Sequence, residues 1–174
     1  DKLNCEGPLG TFFLREESDK PIILIASGTG YAPIRALILD AFQRKLTRPM
    51  TLYWGARTRR DLYSLEEPQR WAAEHSNFAF VPVLSEALAE EGWSGRTGFV
   101  HRAVMEDCPN LSQHQVYACG VPVMVDSARR DFVAQCQLPQ EEFHADSFVS
   151  QADVAGARGE QLTNVIAVQE QRDH

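Results

Sequence analysis

The join between Ile22–Ala26 and the residues that follow it most constrains this chain's fold. Ile22-Ile23-Leu24-Ile25-Ala26 is an unbroken apolar run dominated by β-branched residues. Such a run suits a strand buried on both faces, as in a parallel sheet. A Gly-rich turn, Ser27-Gly28-Thr29-Gly30, comes next. Then Ile34, Leu37, Ile38, Ala41 and Phe42 recur at i, i+3, i+4, i+7 and i+8, one face of a helix. Pro33 suits the first helical turn, where its missing N–H costs nothing. A buried parallel strand needs a parallel neighbour and a crossover to reach it, so this unit points to an α/β fold.

The rest of the chain repeats the pattern. Met50–Trp54, Phe78–Leu84, Gln115–Cys119 and Glu142–Val149 read as further strands, with Pro82 an objection to the second of these. Leu65–His75 and Phe99–Met105 read as helices, and Val121, Met124, Val125, Ala128 and Phe132 form another helical stripe. Glu86–Arg96 reads as a charged loop. The expected architecture is a doubly wound, five-stranded parallel sheet of Rossmann-like type with right-handed crossovers.

The 174 residues suffice for one full-sized domain, and 44% apolar content allows a buried core. A net charge of −7 argues against nucleic acid or an anionic membrane as the main partner. The uncharged stretch Leu111–Val125 contains Gln, His, Gly and Pro and is too polar to span a bilayer. No signal peptide is visible, and the first residue is Asp rather than Met, as expected of a fragment or a processed product. Cys5, Cys108, Cys119 and Cys136 are widely spaced, with no C-x-x-C pair, so they read as free thiols in a reducing, cytoplasmic setting. The histidines show no metal-ligand spacing, and no G-x-S-x-G elbow is present. Asp1–Leu14 reads as a turn and a strand, with a domain boundary across Arg15–Lys20. Residues 150–174 read as a polar, mobile tail in which Val165–Val168 could add a short strand.

Three segments carry chemistry. Gly28-Thr29-Gly30-Tyr31-Ala32-Pro33, between a buried strand and a helix, suits a phosphate, because free N–H groups and the helix dipole converge there. The bland alternative is a plain turn with two glycines. Tyr117-Ala118-Cys119-Gly120-Val121-Pro122 repeats the strand–Gly–helix pattern. Cys119 considered alone reads as a buried strand-end thiol. Gly55-Ala56-Arg57-Thr58-Arg59-Arg60-Asp61 ends the second strand, where an adenosine ribose would lie. Its arginines suit a 2′-phosphate or form a solvated basic loop.

Taken in order, Gly7-Pro8-Leu9-Gly10-Thr11-Phe12, Gly28-Thr29-Gly30-Tyr31-Ala32-Pro33-Ile34, Cys119-Gly120-Val121-Pro122 and Phe143-His144-Ala145-Asp146-Ser147-Phe148 resemble the ferredoxin–NADP reductase superfamily. Tyr53-Trp54-Gly55-Ala56-Arg57, Asp61-Leu62-Tyr63 and Gly95-Arg96-Thr97-Gly98-Phe99-Val100 are similar to the branch of CDP-deoxyglucoseen reductases and of phenol, toluene and methane monooxygenase reductase components.

The resemblance implies the last strand of a truncated flavin-binding barrel at 1–14 and an NAD(P)H-binding domain of the reductase C-terminal type at 15–149. Gly28, Thr29, Gly30, Ala32 and Pro33 would cradle the pyrophosphate. Arg57 and Ser85 would face the adenosine ribose. Cys119, Gly120 and Pro122 would border the nicotinamide, with Cys119 near its reacting carbon. Phe148 would lie over the flavin ring, its alternative being a core residue of the last strand. Hydride would pass from NADH or NADPH, with a lean to NADH, to FAD held mainly on a missing domain. Electrons would then pass to an iron–sulfur centre, a 2Fe–2S cluster on a missing domain or a ferredoxin-type or oxygenase acceptor. The rivals are a nucleotide-binding regulatory module without redox activity and an unrelated α/β enzyme that uses the Gly28 turn for another phosphate.

Overall fold

The apolar run at Ile22 becomes the interior of a parallel sheet in a computed structural model that describes residues 12–147. Six strands lie in the order β4-β3-β2-β1-β5-β6, and every neighbouring pair is parallel. They are β1 (Ile22–Ser27), β2 (Met50–Ala56), β3 (Phe78–Leu84), β4 (Arg96–Thr97), β5 (Gln115–Gly120) and β6 (Phe143–Ser147). Between them run α1 (Tyr31–Gln43), α2 (Glu66–Glu74), α3 (Val100–Asp107) and α4 (Pro122–Gln135).

The continuous apolar run is used on both sides. Ile22, Leu24 and Ala26 pack with α1 and α2 residues such as Ile34, Ile38 and Trp71. Ile23 and Ile25 pack on the opposite face with Val104 of α3 and Val125 and Phe132 of α4. Period-2 alternation of a strand thus feeds two separate cores. Each fully buried aliphatic side chain contributes roughly 2 kcal/mol.

The sheet has six strands where five were expected. The extra strand, β4, is two residues long, pairs only with Val83 and Leu84, and lies at the end of the segment expected to be a loop. Two residues carry no periodicity, so its cause is tertiary. The Arg96 guanidinium reaches Glu106 and Asp107 in the last turn of α3, both at 2.7 Å. There its charge also complements the helix dipole. Because β4 reaches only Val83 and Leu84, β3 is an edge strand at Pro82, where a missing N–H is tolerated.

Buried Arg48 ties the entering chain to the sheet. It donates to the carbonyls of Lys20 (2.9 Å) and Arg15 (2.8 Å) and to Gln115 Oε1 (2.7 Å). Phe12 and Leu14 are buried against the α1/α2 core, and Phe12 meets Tyr117 edge-on. Phe12–Leu14 form no strand, and the remainder of the strand expected before them lies outside the described residues, as does the tail from 150 to 174. Among the described residues, no helix is long and apolar enough to cross a membrane.

From β1 the chain builds outward through β2, β3 and β4, then returns to the other side of β1 to lay down β5 and β6. The strand order therefore reverses between β1 and β5. In open α/β sheets ligands bind beyond the carboxyl ends of strands at such a switch point.

Candidate functional site: a cleft at the switch point

A cleft of about 760 Å³ opens there. Its lining comes from five places in the chain. The end of β1 and its turn give Ser27, Gly28 and Thr29, and the end of β2 gives Gly55, Ala56 and Arg57. Arg60, Asp61 and Tyr63 follow β2, and Ser85 follows β3. Gly98 through His101 lead into α3, and Val121, Val123, Met124 and Ser127 open α4.

The first turn holds its shape for two different reasons. Gly28 has φ +53°, a left-handed conformation that L side chains rarely adopt, and a Cβ built there meets nothing within 4 Å. The space beside Gly28 is therefore open for a ligand to approach the backbone. Gly30 has an ordinary φ, but a Cβ there would collide with the backbone carbonyl of Cys119. The start of α1 can seat itself against the end of β5 only because Gly30 has no side chain. Ser27 ties the two turns together, its Oγ accepting the Val121 N–H at 3.3 Å.

Charged residues line part of the cleft. Arg57 and Arg60 line the cleft beside Asp61. The Asp61 carboxylate also accepts from the Thr58 N–H (3.3 Å) and hydroxyl (3.2 Å), which closes a short 3-10 turn. His101 also lines the cleft. Its Nε2 lies 3.2 Å from Asp131 Oδ2 on α4, and both residues are buried. Burial pushes the His101 pKa below the ordinary histidine value, and the Arg130 hydrogen bond pulls the Asp131 carboxyl below its own. A neutral imidazole facing an ionised carboxylate must donate from Nε2, which leaves Nδ1 as an acceptor.

The structure brings Gly28, Thr29, Arg57 and Ser85 together on the cleft wall. Gly30 is buried in the turn behind it, and Ala32 and Pro33 lie in the first turn of α1. Gly120 and Pro122 flank Val121 at the start of α4. Cys119 does not line the cleft: it is fully buried in the α1/α2-side core, and burial pushes its thiol up to about 12. Phe148 lies outside the described residues. His101 and Ser127 were not singled out from the sequence, and Tyr63 entered only as part of the Asp61-Leu62-Tyr63 segment. His101 acquires its meaning from Asp131, a partner on another helix with no local signal. Val123 and Ser127 are four residues apart on α4, a one-face spacing that could have marked them.

Residues 24–130 match the family described as the Oxidoreductase NAD-binding domain. The chain is 42% identical over 147 residues to the CDP-6-deoxy-L-threo-D-glycero-4-hexulose-3-dehydrase reductase of Yersinia pestis, covering 84% of this chain and 43% of that protein. It is 37% identical over 161 residues to the Phenol hydroxylase P5 protein of Acinetobacter pittii, covering 92% and 45%. The crystal structure of the Amycolatopsis cytochrome P450 reductase GcoB superposes with a TM-score of 0.74 at 35% identity, over 83% of this chain and 43% of that one. The chain thus spans less than half the length of these proteins. The resemblance carried by the glycine turns and the Tyr53–Arg57 segment holds, and the chain belongs to the NAD-binding domain family of oxidoreductases.

Proposed function

We propose that this chain is the pyridine-nucleotide module of a flavin-dependent reductase, and that NADH or NADPH lies along the cleft. The observation that carries this is the convergence of the ends of β1 and β2 with the residues just after β3 and β5 on one cleft at the switch point. The pyrophosphate sits at Gly28-Thr29-Gly30 and the start of α1, with Ala32 and Pro33 in its first turn, where amide N–H groups and the helix dipole favour an anion. The open space beside Gly28 supports this fit. Arg57 and Ser85 face the adenosine ribose. The nicotinamide extends toward Cys119, Gly120 and Pro122. The lean to NADH rests on the resemblance, since Arg57 and Arg60 line the cleft together with Asp61.

When bound on a barrel domain outside these residues, a flavin supplies hydride acceptance and one-electron release toward an iron–sulfur or oxygenase acceptor. Phe148 is proposed as the aromatic that covers its ring. This chain's own work is to bind and orient the dinucleotide, and direct hydride transfer asks no side-chain base of it. A cytoplasmic setting belongs to the same proposal, supported by the free thiols of Cys108, Cys119 and Cys136.

Calorimetric titration of the 174-residue chain with NADH, NADPH and AMP tests the proposal. Saturable binding is expected, tighter for NADH, and Arg57→Ala should weaken it roughly tenfold through loss of a charge-assisted hydrogen bond. A folded chain that binds AMP and NADH alike, with no gain from the second nucleotide half, would contradict it.

A further inference from the structure

Trp54 lies near the end of β2 and is fully buried. Its indole N–H donates to the carbonyl of Gly28 at 3.1 Å. The indole stacks on Tyr31, the first residue of α1, with ring centroids 3.9 Å apart and planes 10° from parallel. The Tyr31 hydroxyl donates to Glu67 Oε1 of α2 at 2.7 Å. Glu67 is itself gripped by both ends of the Arg35 guanidinium, at 2.6 and 3.0 Å. Tyr63 completes the group, edge-on to Trp54 at 5.1 Å and to Tyr31 at 6.0 Å, and it also lines the cleft. Three elements thus lock one ring, and that ring holds one carbonyl.

The carbonyl matters because of where its peptide unit sits. Gly28 is in the left-handed region, has no side chain to fix it, and has conformational freedom to lose. In a trans peptide the C=O and the following N–H point in opposite directions across a rigid plane. The Gly28 carbonyl accepts both the Trp54 indole N–H and the Tyr31 backbone N–H, so it is drawn toward the core and the start of α1. The Thr29 N–H of the same plane must then point the other way.

We propose that Trp54 is a positioning residue: by anchoring the Gly28 carbonyl on a ring clamped by Tyr31, Glu67 and Arg35, it aims the Thr29 N–H at a phosphate of the bound dinucleotide. The proposal rests on the nucleotide reading of the cleft. Trp54 touches no reacting atom and acts only through the turn.

Trp54→Phe keeps an aromatic ring against Tyr31 and removes the donor, together with about half of a fully buried indole. Two measurements on the 174-residue chain decide the matter. The first is amide hydrogen exchange at residues 28–31 of the free protein, which needs no ligand. The second is the affinity for ADP and NADH compared with adenosine, which has no phosphate. Exchange should quicken in the turn more than elsewhere in the sheet, which the cavity left by the smaller ring loosens only generally, and ADP and NADH should weaken roughly tenfold, the size of one phosphate hydrogen bond, with adenosine unmoved. Unchanged exchange in the turn overturns the proposal. So does equal weakening of all three ligands, the mark of a merely structural role. If the parent chain binds none of them, the nucleotide reading fails, and the exchange data still judge whether Trp54 holds the turn. Should Trp54→Phe not fold, Tyr31→Phe releases the stack from α2 while keeping its ring, and carries the same prediction at roughly threefold.

Discussion

Gly28 and Gly30 look interchangeable in the sequence, and the structure gives them separate work. Gly28 needs its backbone angle, whereas Gly30 needs the absence of a Cβ against Cys119. Their substitutions should therefore differ. Gly28→Ala should cost about 1 kcal/mol from left-handed strain alone. Gly30→Ala should cost about 3 kcal/mol, because a carbonyl of the sheet cannot move aside as a flexible side chain can. Urea midpoints of the two variants check the order, and equal losses would mean that the turn relaxes around Gly30. Sequence spacing identified both glycines as turn residues. It could not tell them apart, because the atom that excludes a side chain at Gly30 belongs to β5. Cys119 shows the same limit. The resemblance implies Cys119 near the reacting carbon of the nicotinamide, and the sequence does not show that the alternation of β5 turns its thiol into the α1/α2 core.

At the scale of elements, the strongly patterned pieces were legible. The strand at Phe78–Leu84 has the limits expected of it, and β1, β2 and β5 extend one or two residues beyond theirs, toward the cleft. What the pattern omitted was β4, whose two residues are placed by Arg96 and its carboxylate partners on α3. The anchoring of residues 15–20 was equally hidden. That segment read as a domain boundary, yet two of its carbonyls are held by the buried Arg48 guanidinium, with Gln115 as the third acceptor. Arg48→Ala would strand the Lys20 and Arg15 carbonyls, while Gln115 Oε1 keeps the Tyr117 hydroxyl, and should cost roughly 3 kcal/mol. It should also expose Arg15 and Lys20 to trypsin. Urea unfolding and limited proteolysis read the two effects, and wild-type resistance at both residues would show that the segment is held by Phe12 and Leu14 instead.

Over the whole molecule, buried titrating groups set the pH range of stability. Burial lowers the pKa values of His101, His114 and His144. The unfolded chain binds a proton at each near pH 6.5, while the folded chain resists until lower pH, so the unfolded state holds more protons and stability falls as pH drops below about 6.5. Glu67 and Asp131, depressed by hydrogen bonds from Arg35 and Arg130, add to the loss as pH falls further, into the carboxylate range. On the alkaline side the Cys119 thiol stays protonated up to about 12 in the fold, whereas the unfolded chain releases that proton first. Stability therefore falls again above about pH 8.5. Urea midpoints across this range should peak between about pH 7 and 8, and a midpoint still rising at pH 5 would contradict the burial of the three histidines. Amide NMR of the 174-residue chain titrated with NADH reads occupancy of the switch-point cleft residue by residue. Saturable shifts should cluster at Gly28–Tyr31, Ala56–Arg57, Phe99–His101 and Val121–Met124, the ends of β1 and β2 and the starts of α3 and α4. A folded chain that shows no saturable shifts, or shifts centred at the amino ends of the strands around Arg48 and His114, would contradict the assignment of the switch-point cleft as the dinucleotide site.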